Sequence, residues 1–249
     1  MNEKAETTES IPAAARWLDH LADSEALAVM VEDQGQAAAS VRAALPEIEA
    51  ASRAMFDRLR ASATGRIIYA GAGTSIRIGV QDGVELTPTF DWPEDRSAYI
   101  IAGGPAALLR SVENAEDNSE DARNQIAEEK ICADDVLIGI AASGSTPFTC
   151  AAVDAARQAG ALTIGIANNP SSRLAATADH GITLLTGAES VAGSTRLKAG
   201  TAQKICLNLM STLVMVRMGR VRNGMMSAMR ASNAKLRARQ LRIDAALKP

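Results

Sequence analysis

Two stretches concentrate residues able to hold an anion: "GAGTS" at 71–75 and "ASGST" at 142–146. Each follows an apolar run, "RIIYA" (66–70) or "VLIGIA" (136–141), and precedes sequence suited to a helix. Glycines let a backbone close on a ligand, and free N–H groups at a following helix start supply positive field. Gly73, Thr74, Ser75, Ser143, Ser145 and Thr146 are therefore candidate phosphate-binding residues. A dinucleotide site would need GxGxxG, but Ile76 takes the last glycine position, and the next apolar run ends "IIAGG" without an acidic residue. A GxxxxGK[ST] string does not occur, nor does a GxSxG elbow. The plainer alternative is that these hydroxyls simply cap helices, where Ser and Thr are favoured anyway. Two such turns at strand ends of one sheet favour a small phosphorylated ligand.

The elements positioning these turns follow from the hydrophobic pattern. Five apolar runs read as strands: Arg66–Gly71, Ser97–Gly104, Asp135–Ser143, Leu162–Asn169 and Gly181–Gly187. Their continuous apolar character suits parallel strands buried on both faces. Helical segments such as Phe148–Ala161 lie between most of them. Alternation of this kind predicts a doubly wound α/β fold with a mainly parallel five-stranded sheet, and ligands beyond the carboxyl ends of its strands. Residues 1–12 are expected to be disordered. Residues 13–62 form Ala-rich helices, broken near Gly35 and at Pro46; residues 63–240 form the ligand-binding domain, helical after Gly193; and 241–249 form a tail.

Bulk properties remove several classes. The 249 residues are 47% hydrophobic and 22% charged, enough apolar content for a large core. A net charge of -3 argues against a nucleic-acid partner. The longest apolar run, Ile205–Val216, is too short to span a bilayer and reads as a core helix, and no signal peptide is visible. Cys132, Cys150 and Cys206 lack CxxC spacing, which suits buried reduced thiols in a cytoplasmic protein. His20 and His180 stand far apart without cysteine neighbours, so no metal site is expected.

Longer strings carry a family resemblance. "LPEIEAA", "GRIIYAGAGTS", "DGVELTPTF", "VENAEDN", "IGIAASGSTPF", "NNPSS" and "GSTRLKAGTAQKICLNLMST" occur in that order from about Ala26 to Arg239. They resemble the sugar isomerase (SIS) domain and, specifically, the N-acetylmuramic acid 6-phosphate etherases. The last string is the most specific. The glucokinase regulatory protein shares the architecture but binds sugar phosphate without reaction.

The resemblance implies cofactor-free and metal-free cleavage of the D-lactyl ether of N-acetylmuramic acid 6-phosphate, in amino-sugar metabolism and cell-wall recycling. A base removes the C2 proton of the open-chain sugar, lactate leaves C3, and water adds. One carboxylate must be ionised and a second protonated, so their environments should differ. The family's two glutamates fall on Glu85 as acid and Glu116 as base. Taken without the family, Glu116 in its acidic run reads as a solvated first turn, whereas Glu85, between Val84 and Leu86 and before Pro88, sits oddly for a solvated group. Lys198 in "GSTRLKAG" is a candidate anion partner, although Arg196 and Lys198 equally suit a surface first turn.

Three departures stand near these residues. The family's GTSGR is "GTSIR" here, its ASGRTP is "ASGSTP", and its SECPPT is "VELTPT". Ile76 is expected to reshape the loop or narrow the pocket, and Ser145 removes an arginine charge. A phosphosugar-binding regulator and a phosphosugar isomerase are the competing functions. A homodimer is expected, its surface drawn from the N-terminal helices.

Overall fold

Strands form where the sequence offers four to six consecutive residues that can be buried on both faces. They are β1 (Ile67–Gly71), β2 (Ser97–Ile101), β3 (Val136–Ile140), β4 (Leu162–Ala167) and β5 (His180–Thr183). In a computed structural model of the chain, which describes residues 7–229 and 234–247, all neighbouring strands pair in parallel in the order β2-β1-β3-β4-β5. The doubly wound sheet is thus parallel throughout. Strand order reverses between β1 and β3, where Gly71 pairs with Ile140, so both glycine turns leave the sheet side by side. Open α/β sheets bind ligands at such a crevice.

Alternate strand residues feed two cores. Ile67, Tyr69, Ile138, Ile140 and Ile164 face the layer formed by α1 (Asp23–Ala43), α2 (Leu45–Ala61), α3 (Gly73–Phe90) and α7 (Lys198–Arg217). Ile68, Ala70, Ile100 and Leu137 face α4 (Ser119–Glu128), α5 (Pro147–Gln158) and α6 (Arg173–Thr177). Few aromatics are available, so the layers close on Ala, Ile, Leu, Val and Met. A last helix, α8, covers Ala234–Leu247, so it starts inside the expected domain and runs on through most of the expected tail.

The N-terminal half departs from expectation in two places. Helix α1 runs straight through Gly35, whose absent side chain faces open space within 4 Å, so the break falls instead at Ala44 before Pro46 enters α2. Residues 1–6 of the segment expected to lack structure lie outside the described residues, but Thr8 is fully buried. Its N–H donates to Asn169 Oδ1 (2.9 Å), and its carbonyl accepts from Gly193 N–H (3.2 Å). Cys132 also differs: it is exposed, while Cys150 and Cys206 are buried, and all three are free.

Helix α3 is pinned at its middle. The buried Asp82 carboxylate accepts from Tyr69 Oη on β1 (2.8 Å) and from Asn208 Nδ2 (2.7 Å) and Ser211 Oγ (3.0 Å) on α7. Burial, with the Asp82 charge second, pushes the Tyr69 hydroxyl well above its usual range. That proton therefore stays on Tyr69 and serves the carboxylate.

Candidate active site

The two glycine turns meet around a cavity of about 390 Å³. Its first wall is the start of α3: Gly73 adopts φ 53°, a left-handed conformation that glycine takes without side-chain strain, and Thr74 and Ser75 follow it into the helix. Its second wall is the turn before α5. Gly144, at φ 68°, turns the chain so that Ser143 Oγ accepts from Ser145 N–H (3.2 Å) and lies 3.4 Å from Thr146 Oγ1, at the helix cap. Pro147 opens α5, where its missing N–H costs nothing. All six residues expected to hold phosphate line this one cavity.

Glu116 joins them from a short 3-10 turn, Ala115–Asp117, placed by Asn114 in the left-handed region at φ 58°. Glu9, Asp117, Gly193 and Thr195 complete the wall and are not among the residues expected to bind or react. Glu9 sits in a segment without periodicity, and only the contact of Thr8 with Gly193 brings it here, whereas Thr195 lies in the "GSTRLKAG" string already quoted. Among the described residues no lysine or arginine lines this cavity, and three carboxylates do. Attraction for a phosphate must come from hydroxyls and from the N–H groups opening α3 and α5.

Two expected residues lie elsewhere. Glu85 is exposed on α3, beside Val84, which is 51% exposed. Twelve residues separate it from Gly73, about 18 Å along a helix. It does not meet Glu116 within one chain, and its apolar neighbours do not shield it from water. Lys198 is 3% exposed and turned into the protein, where Nζ donates to Gln36 Oε1 (3.2 Å) and stands 3.9 Å from Asp33 Oδ1. Asp33 also accepts from Arg16 Nη2 (2.6 Å) and Ser190 Oγ. Lys198 therefore ties α1 to α7 and does not line the cavity.

The start of α7 is closed by another carboxylate. Glu189, 1% exposed, accepts from Lys198 N–H (3.1 Å) and Ala199 N–H (2.9 Å). Burial pushes its carboxyl above the ordinary range, against the pull of those two donors. An incoming anion finds that helix start already taken.

Ile76 corrects a further expectation. It is helical, fully buried in the α3–α7 core, and does not line this cavity. The positive φ the turn requires falls at Gly73, so a β-branched residue at 76 neither reshapes the loop nor narrows the site.

Known proteins resemble this chain in fold and in sequence. The model of the glucokinase regulatory protein N-terminal SIS domain matches residues 48–157, and that of the SIS domain matches 106–215. A phosphoheptose isomerase from Francisella tularensis covers 79% of the chain and all of its own at TM-score 0.57 and 18% identity. The sugar isomerase domain of an RpiR transcription factor from Sphaerobacter thermophilus covers 89% and 98% at TM-score 0.55 and 19% identity. At such identities the likeness is one of fold alone. The N-acetylmuramic acid 6-phosphate etherases of Streptomyces avermitilis and Deinococcus radiodurans are both 46% identical, over 96% and 95% of this chain and 76% and 77% of theirs. That of Mycolicibacterium smegmatis is 43% identical over 98% of this chain and 81% of its own. The chain belongs to the N-acetylmuramic acid 6-phosphate etherase family.

Proposed function

We propose that the protein cleaves the D-lactyl ether of N-acetylmuramic acid 6-phosphate, giving N-acetylglucosamine 6-phosphate and D-lactate. The observation that carries this reading is Glu116 standing in the wall of the cavity that gathers both hydroxyl turns, in a chain of this family. The 6-phosphate sits among Thr74, Ser75, Ser143, Ser145 and Thr146, at the starts of α3 and α5. Glu116 takes the C2 proton of the open-chain sugar, made acidic by the C1 aldehyde. The electron pair forms the C2–C3 double bond, the C3–O bond breaks, and its pair leaves on the lactyl oxygen, which takes a proton. Water then adds at C3 and a proton returns to C2, so the net change is hydrolysis.

The acid for the departing oxygen is Glu85 of a second copy. Within one chain Glu85 lies about 18 Å from Gly73, too far for both carboxylates to touch one sugar. Its exposed helix face, with Val84 and the neighbouring groove along Thr87, Pro88 and Tyr99, is apolar surface suited to a dimer contact. This face replaces the N-terminal helices as the expected dimer surface. We place the protein in the cytosol, where its free cysteines stay reduced. Among the described residues no helix is long and apolar enough to cross a membrane.

D-Lactate release from the sugar phosphate tests the reaction. E116Q should lower kcat by about a hundredfold to ten-thousandfold, as loss of a general base does. No lactate from wild type, or full activity in E116Q, overturns the reading; ligand binding without turnover would make the protein a phosphosugar-binding regulator. Mixing E85Q with E116Q, then exchanging subunits, tests the shared site. Random pairing should restore about a quarter of wild-type activity, since half the dimers regain one intact site of two. No recovery in exchanged dimers refutes it.

A further inference from the structure

A second cavity, of about 250 Å³, shares Ala72, Gly73, Thr74 and Glu116 with the first and so adjoins it. Its lining differs in chemistry. Arg77 and Arg110 supply two positive charges against the single carboxylate of Glu116, and Ala102, Ala107 and Val112 supply apolar wall. Arg77 is held in place: Nε and Nη2 donate to Ala107 O (3.2 and 2.9 Å), and Nη2 lies 3.4 Å from Arg110 O. That grip fastens the segment carrying Arg110 to the second turn of α3. Among the described residues, Arg77 Nη1 makes no hydrogen bond and neither arginine forms an ion pair. Two guanidinium groups with spare donors thus face one small, partly apolar chamber.

We propose that this chamber receives the lactyl group of the substrate, with Arg77 and Arg110 holding its carboxylate and the alanine and valine walls holding its methyl. The inference rests on the etherase reading and assigns the specificity residues of that site. The substrate's groups run in the order phosphate, reacting carbons, carboxylate. The protein repeats that order as hydroxyl cavity, Glu116, arginine cavity. Placing the phosphate on the arginines instead would leave unused the hydroxyls of both turns and the N–H groups opening α3 and α5, which the first cavity offers an anion in place of a cation. Holding the carboxylate also serves the reaction, because it fixes the C3–O bond relative to the base and neutralises the departing acid.

The test compares two sugars that differ only in the lactyl ether, measured by calorimetric titration in the slow E116Q background. E116Q should bind N-acetylmuramic acid 6-phosphate more tightly than N-acetylglucosamine 6-phosphate. Adding R110Q should weaken the first about tenfold to a hundredfold, the range for a charge-assisted hydrogen bond, and leave the second within about twofold. Arg110 is exposed and, among the described residues, its side chain makes no ion pair, so R110Q should fold normally. R77K, which keeps charge but loses the fork, should show the same selectivity loss in smaller measure. Equal weakening of both sugars would put the phosphate in the arginine cavity and overturn the proposal. So would unchanged selectivity in R110Q, or failure of both sugars to bind. If wild type releases no lactate while the binding preference depends on Arg110, the reaction is lost but this assignment stands. If R110Q keeps the preference while wild type turns over, only this assignment falls.

Discussion

Gly73 and Gly144 both adopt left-handed φ, yet alanine should act differently at each. At Gly73 a Cβ would meet nothing within 4 Å. The cost is the left-handed conformation alone, about 1–2 kcal/mol. At Gly144 the same atom would stand 2.2 Å from Ser172 Cβ, 2.6 Å from Ser172 Oγ and 2.9 Å from Ala167 Cβ. Ser172 cannot retreat freely, because its Oγ caps α6 by accepting from Ala175 N–H (3.2 Å). Overpacking adds about 1–3 kcal/mol and a strained cap about 1 kcal/mol. G144A should therefore lose about 3–6 kcal/mol, a Tm fall on the order of 10 °C for a chain of this size, while G73A falls only a few degrees. Binding should invert that ranking among folded protein. Gly73 lines both cavities, so its new methyl takes space the sugar would use. Scanning calorimetry and titration with N-acetylglucosamine 6-phosphate read both effects. The reasoning is refuted if G144A melts within about 3 °C of wild type, if G73A melts as low as G144A, or if G73A binds the sugar like wild type.

I76A should cost about 2–5 kcal/mol in urea unfolding, as truncation of a buried isoleucine does, and leave sugar affinity unchanged. A gain in affinity would show that Ile76 restricts the pocket after all. At Asp135, burial pushes the carboxyl up, but hydrogen bonds from the Arg66 side chain and from the Cys132 and Arg66 N–H groups outweigh it and hold it below the ordinary range. Its stabilisation is present above the ordinary value, about 3.9, and is lost as pH falls through the depressed value. D135N should cost about 3 kcal/mol at neutral pH and flatten the acid limb of a stability–pH curve; an unchanged limb would contradict this. Glu189 acts in the opposite sense, since its raised carboxyl stabilises most below its ordinary value, about 4.3, and loses that contribution as pH rises through the folded value. E189Q should remove that decline in the same urea titrations, and a decline that persists would assign it to another group.

Much of the frame was legible because burial on both faces leaves an unmistakable mark. Every strand starts within one residue of its apolar run, whereas the ends at Ile101, Ile140, Ala167 and Thr183 fall two to four residues short of theirs, where the chain leaves the sheet into turns. The hydroxyl clusters were legible for the same reason, being short breaks in apolar sequence. Residues whose meaning depends on a distant partner were not. Lys198 looks like a free cation until Asp33 and Gln36, some 160 positions away, are brought against it. Glu85 looked shielded by its neighbours, but helical geometry turns Leu86 inward and leaves Val84 and Glu85 outside. The helix passes through Pro88, whose missing N–H would have served the carbonyl of exposed Val84, a group water can reach. Arg77 was quoted in its motif, but its role appears only with Ala107 and Arg110 beside it.

The three donors converging on Asp82 have a mechanical consequence. A rod bolted to the sheet and to its neighbouring helix cannot slide or roll to suit a guest. Accommodation must fall on the segment between β2 and α4, whose grip on the rod is the Arg77 side chain. Amide exchange should be slowest around Asp82 and fastest from Gly104 to Asn118, and a sugar carrying a carboxylate should quiet the latter more than one without.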